Sequence, residues 1–425
     1  MAADLFSEFE WRGMVYEATE GVRDVLAREK VTAYIGFDPT SSSLHVGSLL
    51  TVMGLARLQR FGHTPIAIVG GGTGMIGDPS GKTVERQLLT REQIDENVAG
   101  IRAQLEHFLD FEAPRNPARI VNNADWLAAF DLLGFLRDTG KYFTVNYMLQ
   151  KESVNRRLES EEGISYTEFS YLLLQARDFV ELFDRYGCTL QMGGSDQWGN
   201  ITAGIDLIRK LRGTKAHGLV WPLMTTASGT KFGKTEAGTV WLDASRTSPF
   251  RFYQFWLNTD DRDVVTYLKF FTFLDENTIA ALERAVVEAP QAREAQRVLA
   301  RDVTGAVHGT EAVARAERAS SLLFGEGITE LNADEVLAVF DDVPSSEVEA
   351  GRFDGDGVAV SELLATSGLA GSRGEATRLI KSGGVYVNNR RVAGERDRLV
   401  RSQAIAGQLF LLRKGQRQNH LIKLR

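Results

Sequence analysis

Lys231 and Lys234 lie three positions apart in Ser228-Gly229-Thr230-Lys231-Phe232-Gly233-Lys234-Thr235, a stretch otherwise made mostly of small and hydroxyl residues. Two ammonium groups on such a loop can neutralise a triphosphate as charge develops on its leaving pyrophosphate. Far upstream, the apolar run Val31–Phe37 ends in Asp38-Pro39, and Thr40 to Ser43 lead into Leu44-His45-Val46-Gly47-Ser48. This reads as strand, loop and helix start. It places His45 and Gly47 in a first helical turn, where free amides and the helix dipole favour phosphate. A glycine there leaves room for a flat base or ribose. A third pattern is Tyr171, Gln175 and Asp178, at i, i+4 and i+7 of a leucine-rich stretch. On a helix these three share one face, and a polar stripe among leucines suits a ligand cavity better than a core.

Other patterns imitate active sites and fail. Gly72-x-Gly74-x-x-Gly77 has dinucleotide spacing, but Asp78-Pro79-Ser80-Gly81 follows, which stops the helix that such a site requires. Gly81-Lys82-Thr83 and Gly233-Lys234-Thr235 each lack the four-residue glycine spacing of a phosphate-binding P-loop. The six histidines fall at no ligand spacing, and Cys188 is the only cysteine. A disulfide framework and a cysteine-rich zinc site are excluded, and a reducing, cytoplasmic compartment is expected. The acidic start MAADLFSEFEWRG has no apolar leader, and no stretch reads as a membrane span.

The elements that must hold these groups follow from periodicity. Short apolar runs at Val31–Phe37, Pro65–Val69 and Ala118–Val121 alternate with amphipathic stretches at Leu44–Phe61, Arg91–Phe108 and Trp126–Asp138. Strands alternating with helices predict a parallel sheet in an α/β domain over 1–246. Residues 247–340 show helical spacing alone and predict an all-helical domain. Residues 341–356, acidic and rich in small side chains, read as a linker. Residues 357–425 read as two short helices and strands, a small α+β domain.

Charge is unevenly spread over the 425 residues, whose formal total is −7. Between Gly371 and Arg425 stand thirteen lysines and arginines against Glu375, Glu395 and Asp397. A basic module on an acidic body points to a polyanionic partner at one end.

Six segments in order carry a resemblance. HVGS at 45–48 and KFGKT at 231–235 resemble the two signature elements of class I aminoacyl-tRNA synthetases, with Ser48 standing where that family has a second histidine. Tyr-x3-Gln-x2-Asp at 171–178, GDPS at 77–80, VNNADW at 121–126 and GSDQWGN at 194–200 resemble the bacterial tyrosyl-tRNA synthetase family in particular. The tail, around GLAGSRGEA at 368–376 and IKSGGVYVN at 380–388, resembles the S-four-type RNA-binding fold.

The resemblance implies a Rossmann-like parallel-sheet catalytic domain, a helical anticodon-region domain and an S-four-like RNA-binding domain. It implies attachment of L-tyrosine to its tRNA in two steps, through tyrosyl-adenylate formed from ATP with release of pyrophosphate. Tyr34, Asp78, Asn123, Tyr171, Gln175, Asp178 and Gln197 would bind tyrosine. Gly36, Asp38, His45, Gly47, Gly194, Asp196, Lys231 and Lys234 would bind ATP. His45, Lys231, Lys234 and Thr235 would stabilise the transition state, and Lys82 and Arg86 would lie along the path of the pyrophosphate or the tRNA end. ATP would arrive with Mg²⁺, no protein metal site is expected, and the implied assembly is a homodimer. The rivals are tryptophanyl-tRNA synthetase, a non-catalytic RNA-binding derivative and a small-molecule nucleotidyltransferase. The Tyr–Gln–Asp helix, the intact lysines and the basic tail argue against them in turn.

Overall fold

The computed structural model describes residues 4–80, 89–159, 163–229, 232–235, 238–324, 343–415 and 418–425. Two compact units emerge, one of 1–247 with 254–307, the other of 248–253 with 308–425.

The first unit is built on six strands: β1 (Glu17–Ala18), β2 (Thr32–Phe37), β3 (Thr64–Val69), β4 (Arg119–Asn122), β5 (Cys188–Gly194) and β6 (His217–Trp221). Their order is β1-β6-β5-β2-β3-β4, all parallel except β1 on β6. From β2 the chain moves outward to β3 and β4, then returns to place β5 on the other flank of β2. Such a reversal opens a crevice beyond the carboxyl ends of the two central strands, where α/β sheets bind ligands. The central strands are apolar on both faces and carry no charged side chain, as strands buried under helices require.

Four helices of this unit matter to the site: α1 (Val46–Arg60), α2 (Tyr166–Tyr186), α3 (Trp198–Arg212) and α4 (Asp261–Phe271). The Ser165 hydroxyl opens α2 by accepting from the Glu168 amide, and Gly187 closes it in the left-handed region at φ 62°. The stretch expected as one helix over Trp126–Asp138 is two, Ala124–Leu127 and Leu132–Asp138, because Asp131 caps the second by accepting from the Gly134 amide.

The expected boundary at 246/247 is also corrected. Residues 254–307 belong with the α/β body, and the reason is a pair of buried arginines. Arg57 donates to the carbonyls of Lys269, Phe270 and Thr272, at 3.0, 2.9 and 2.6 Å. Arg12 donates to those of Lys269, Thr272 and Leu274, at 2.8, 3.2 and 2.8 Å. A helix leaves its last carbonyls without intrahelical donors, and these guanidinium groups supply them at the end of α4. Burial and the neighbouring Arg12 hold the Arg57 pKa well below its usual value.

The lysine loop has its described backbone in this unit as well. Lys234–Thr235 (β7) pairs antiparallel with Gly238–Thr239 (β8). Just before it, the Phe232 ring is buried among Phe255, Trp256, Tyr267 and Phe271, stacked on Phe271 at 5.5 Å.

The second unit closes on a five-stranded sheet. Its strands are β9 (Ser345–Val348), β11 (Val385–Val387), β12 (Arg390–Arg391), β14 (Leu409–Lys414) and β15 (Gln418–Leu424), in the order β12-β11-β14-β15-β9. A separate pair joins β10 (Val358–Ala359) to β13 (Arg398–Leu399). Helices α5 (Val360–Thr366) and α6 (Arg373–Lys381) pack over a core that includes Phe353, Leu364, Ile380, Phe410 and Ile422. The expected linker is thus corrected in its described part: Ser345–Val348 runs parallel to β15 and Phe353 is fully buried.

Candidate active site

A cavity of about 650 Å³ opens at the carboxyl ends of β2 and β5. It gathers Tyr34, Gly36, Asp38, His45, Gly47, Asp78, Asn123, Tyr171, Gln175, Asp178, Gly194, Asp196 and Gln197 from segments scattered through the chain. The expected residues Lys82, Arg86 and Lys231 lie outside the described residues, as do the side chains of Lys234 and Thr235.

One end of the cavity is a polar nest inside the core. Asp178 is 3% exposed and Tyr34 1%. The Asp178 carboxylate accepts from the Trp126 indole N–H at 2.7 Å and from Asn123 Nδ2 at 2.9 Å. Asn123 is itself fixed, since its Oδ1 accepts from the Gly72 amide at 2.8 Å. Burial pushes the Asp178 carboxyl up to about 7, with its two donors opposing the shift and Asp38 and Glu181 adding to it. Burial, together with Asp178 nearby, raises Tyr34 well above the usual phenol value. The Tyr34 hydroxyl is buried without a hydrogen-bond partner. An orphaned hydroxyl beside a carboxylate is a costly arrangement in an empty core. It becomes favourable when a guest hydroxyl donates to Asp178 and accepts from Tyr34.

The middle of the cavity holds a second network. The Tyr171 hydroxyl donates to the Asp38 carboxylate at 3.2 Å, which links a residue expected for the amino acid to one expected for the nucleotide. Gln197 Nε2 donates to Asp78 Oδ2 at 2.7 Å, and Gln175 Nε2 to Gln197 Oε1 at 3.2 Å. Asp78 also accepts from the Ser80 amide at 2.9 Å, which fixes the GDPS turn. Asp38, Asp78 and Gln175 all line this part of the cavity, and their acceptor oxygens give it a chemistry suited to a cation.

At the other end stand groups suited to phosphate and ribose. His45 is the residue that caps α1, with φ −122° and ψ 169°, one position outside the helix rather than in its first turn. Gly47 lies beneath its ring: a Cβ added there would stand 2.7 Å from His45 Cε1. Gly36 has open space where a Cβ would be. Asp196 follows β5 in the turn Ser195–Gln197.

Four contributors escaped the sequence reading. Trp126, Thr73, Gln191 and Asn200 meet the site through sheet order and side-chain networks. Thr73 Oγ1 accepts from Asn123 Nδ2 at 2.9 Å, and Asn200 Nδ2 donates to Gln175 Oε1 at 3.0 Å. Gln191, opposite Tyr34 in the β2–β5 register, is buried against the cavity with its Oε1 unpartnered. Trp126 had a legible signal, an indole N–H three residues after Asn123 in the same segment.

Two family models match this chain. One describes class I tRNA synthetases (W and Y) and covers residues 26–325. The other describes the tyrosine–tRNA ligase SYY-like C-terminal domain and covers 335–422. The tyrosine–tRNA ligase of Roseiflexus castenholzii is 56% identical over 420 residues, spanning 99% of both chains. That of Geobacillus kaustophilus is 51% identical over 423 residues, again 99% of both. Among solved structures, a C-terminally truncated Aspergillus nidulans mitochondrial tyrosyl-tRNA synthetase superposes with a TM-score of 0.67 at 31% identity, covering 76% of this chain and 94% of that one.

Proposed function

We propose, for a chain that belongs to the tyrosyl branch of the class I aminoacyl-tRNA synthetases and attaches L-tyrosine to tRNA through tyrosyl-adenylate, the following division of labour. Tyr34 and Asp178 bind the substrate phenol hydroxyl, with Asn123 holding Asp178. Tyr171, Gln175 and Asp78 bind the α-amino group, and Gln197 lies beside the carboxylate. Gly36, Gly47, Gly194 and Asp196 take the adenine and ribose of ATP, with Asp38 between the two substrates.

In the first step a substrate carboxylate oxygen attacks the α-phosphorus, the bond to the bridging oxygen breaks, and pyrophosphate leaves with that electron pair. No protein nucleophile is needed, so catalysis is positioning plus stabilisation of the developing charge. His45, Lys231, Lys234 and Thr235 supply that stabilisation, and Lys82 and Arg86 line the departing path. Mg²⁺ arrives with ATP, held mainly by its phosphates. Among the described residues no group of His, Cys, Asp and Glu could hold a metal ion. In the second step a hydroxyl of the tRNA 3′ end attacks the acyl carbonyl and AMP leaves.

The observation that carries this reading is the orphaned Tyr34 hydroxyl beside the buried, doubly bonded Asp178 carboxylate. That geometry is completed by a phenol hydroxyl and left unsatisfied by a phenyl ring that lacks it. The test is ATP–pyrophosphate exchange with each of the twenty amino acids. Tyrosine alone is expected to support it, and exchange with phenylalanine or tryptophan at a comparable rate would overturn the assignment.

The basic segment 371–425 is the expected surface for tRNA. A homodimer fits the exposure of Leu132, Leu133 and Leu136 on one short helix, with Leu133 77% exposed. Such a patch calls for a partner surface. A cytoplasmic setting fits the single, fully buried cysteine. Among the described residues no helix is long and apolar enough to cross a membrane.

A further inference from the structure

We propose that Trp241 is a positioning residue for His45, and that with Arg246 it joins the histidine motif to the lysine loop as one unit. The proposal rests on the reading of His45 as a group that stabilises the triphosphate.

The backbone supports it first. The Val46 amide donates to the Val240 carbonyl at 3.0 Å, and the Leu242 amide to the Leu44 carbonyl at 2.9 Å. His45 and Trp241 face each other across this antiparallel bridge. The Val240 amide in turn donates to the Gly233 carbonyl at 3.1 Å. Gly233 has φ +81°, and a Cβ there would stand 2.7 Å from Val46 Cγ2. The strand that leaves the lysine loop is therefore the pairing partner of the segment that carries His45.

The side chains complete the clamp. The His45 and Trp241 rings meet edge to face, with centroids 6.1 Å apart and planes at 65°. The Arg246 guanidinium lies 3.4 Å over the Trp241 ring and also donates to the Ser41 hydroxyl, in the loop that leads to His45. A cation on an indole face fixes the plane of that ring. Gly47 and Trp241 both pack against the imidazole. His45 lines the cavity and Trp241 stands behind it, so the role proposed for Trp241 runs through His45. A donor aimed at charge that develops only in the transition state is effective to the extent that it is held there beforehand.

The test measures the single-turnover rate of tyrosyl-adenylate formation and the KM for tyrosine in Trp241→Leu, Trp241→Phe, His45→Ala and the Trp241→Leu/His45→Ala double variant. Trp241→Leu is expected to slow the step about fivefold to tenfold, the scale of one aromatic pair. Tyrosine KM should stay unchanged, Trp241→Phe should recover most of the rate, and the double variant should be no slower than His45→Ala. Should Trp241→Leu fail to fold, Arg246→Gln is the second arm: it should cost about twofold to threefold, the lower end for an exposed cation–π contact, and only where His45 is present. An unchanged rate in Trp241→Leu, a parallel rise in tyrosine KM, or the same fold-loss with and without His45 would overturn the proposal. If His45→Ala alone runs at full rate, the reading of His45 falls and this proposal falls with it. If His45→Ala is slow and Trp241→Leu is not, only the proposal falls.

Discussion

The phenol end of the cavity places Asp178 and Tyr34 deep in the core, under donors from Asn123 and Trp126 that are fixed before any ligand arrives. The phosphate end is made of glycine-rich turns and a half-buried His45, supported by a short bridge to residues 240–242. On the proposed assignment the first end selects the side chain, and its groups are buried and hydrogen-bonded. On the same assignment the second meets charge that develops as pyrophosphate leaves. Selectivity and rate are thereby assigned to separate parts of one crevice, and substitutions should separate them too.

Lys234→Ala should have the largest effect on the first step. Losing a charge-stabilising donor lowers adenylate formation by about 10²-fold to 10³-fold, while tyrosine affinity measured by equilibrium titration should hold. An equal loss in both would place Lys234 among binding groups. Asp178→Ala should act at the opposite end and cut the preference for tyrosine over phenylalanine by about 10²-fold, since a charged partner of the phenol is lost. The check is the ratio of kcat/KM for the two amino acids. Tyr34→Phe removes a neutral partner only and should erode that ratio less, by about tenfold.

A subtler consequence comes from the carboxyl pushed up to about 7. Asp178 has a folded pKa above its unfolded one, so the fold favours its protonated form. That contribution is full below about pH 4 and is lost as pH rises through about 7. Asp178→Asn removes the loss, so its Tm relative to the parent should climb between about pH 4 and about pH 7 and then level off. A flat difference across that range would mean the carboxyl ionises at its ordinary value.

Least effect on the first step is expected from removing 343–425, beginning ahead of β9. Pyrophosphate exchange should persist at close to the full rate, whereas tRNA charging should fall and tRNA binding should lose much of its salt dependence. Undiminished charging would make the basic unit dispensable for tRNA.

Much of this was legible in the chain itself. Tyr171, Gln175 and Asp178 announce themselves because helical spacing is a strong signal over a long run of residues. The strand ends at Phe37 and Val69 follow from apolar runs bounded by Pro39 and by Gly70 to Gly72. Thr73 and Gln191 were not legible, because they reach the cavity through the order of strands in the sheet, which periodicity does not encode. Ser345–Val348 was read as linker since four residues, half of them serine, are too few to show alternation. The helical stretch was read as separate because Arg12 and Arg57 look like ordinary surface charges until the carbonyls that they cap are placed beside them.

Those two arginines also bear on how the chain is made. Arg12 is synthesised 262 residues before Leu274, whose carbonyl it caps. At ordinary elongation speeds the interval is about 15–50 s. Throughout it the guanidinium groups of Arg12 and Arg57 must stay hydrated, because a charge buried without its partner is strongly disfavoured. The N-terminal sheet can therefore pair early on the ribosome, while the face that carries these arginines stays open to water. It can seal only once the end of α4 has emerged to cover it, so closing that face waits on translation through residue 274.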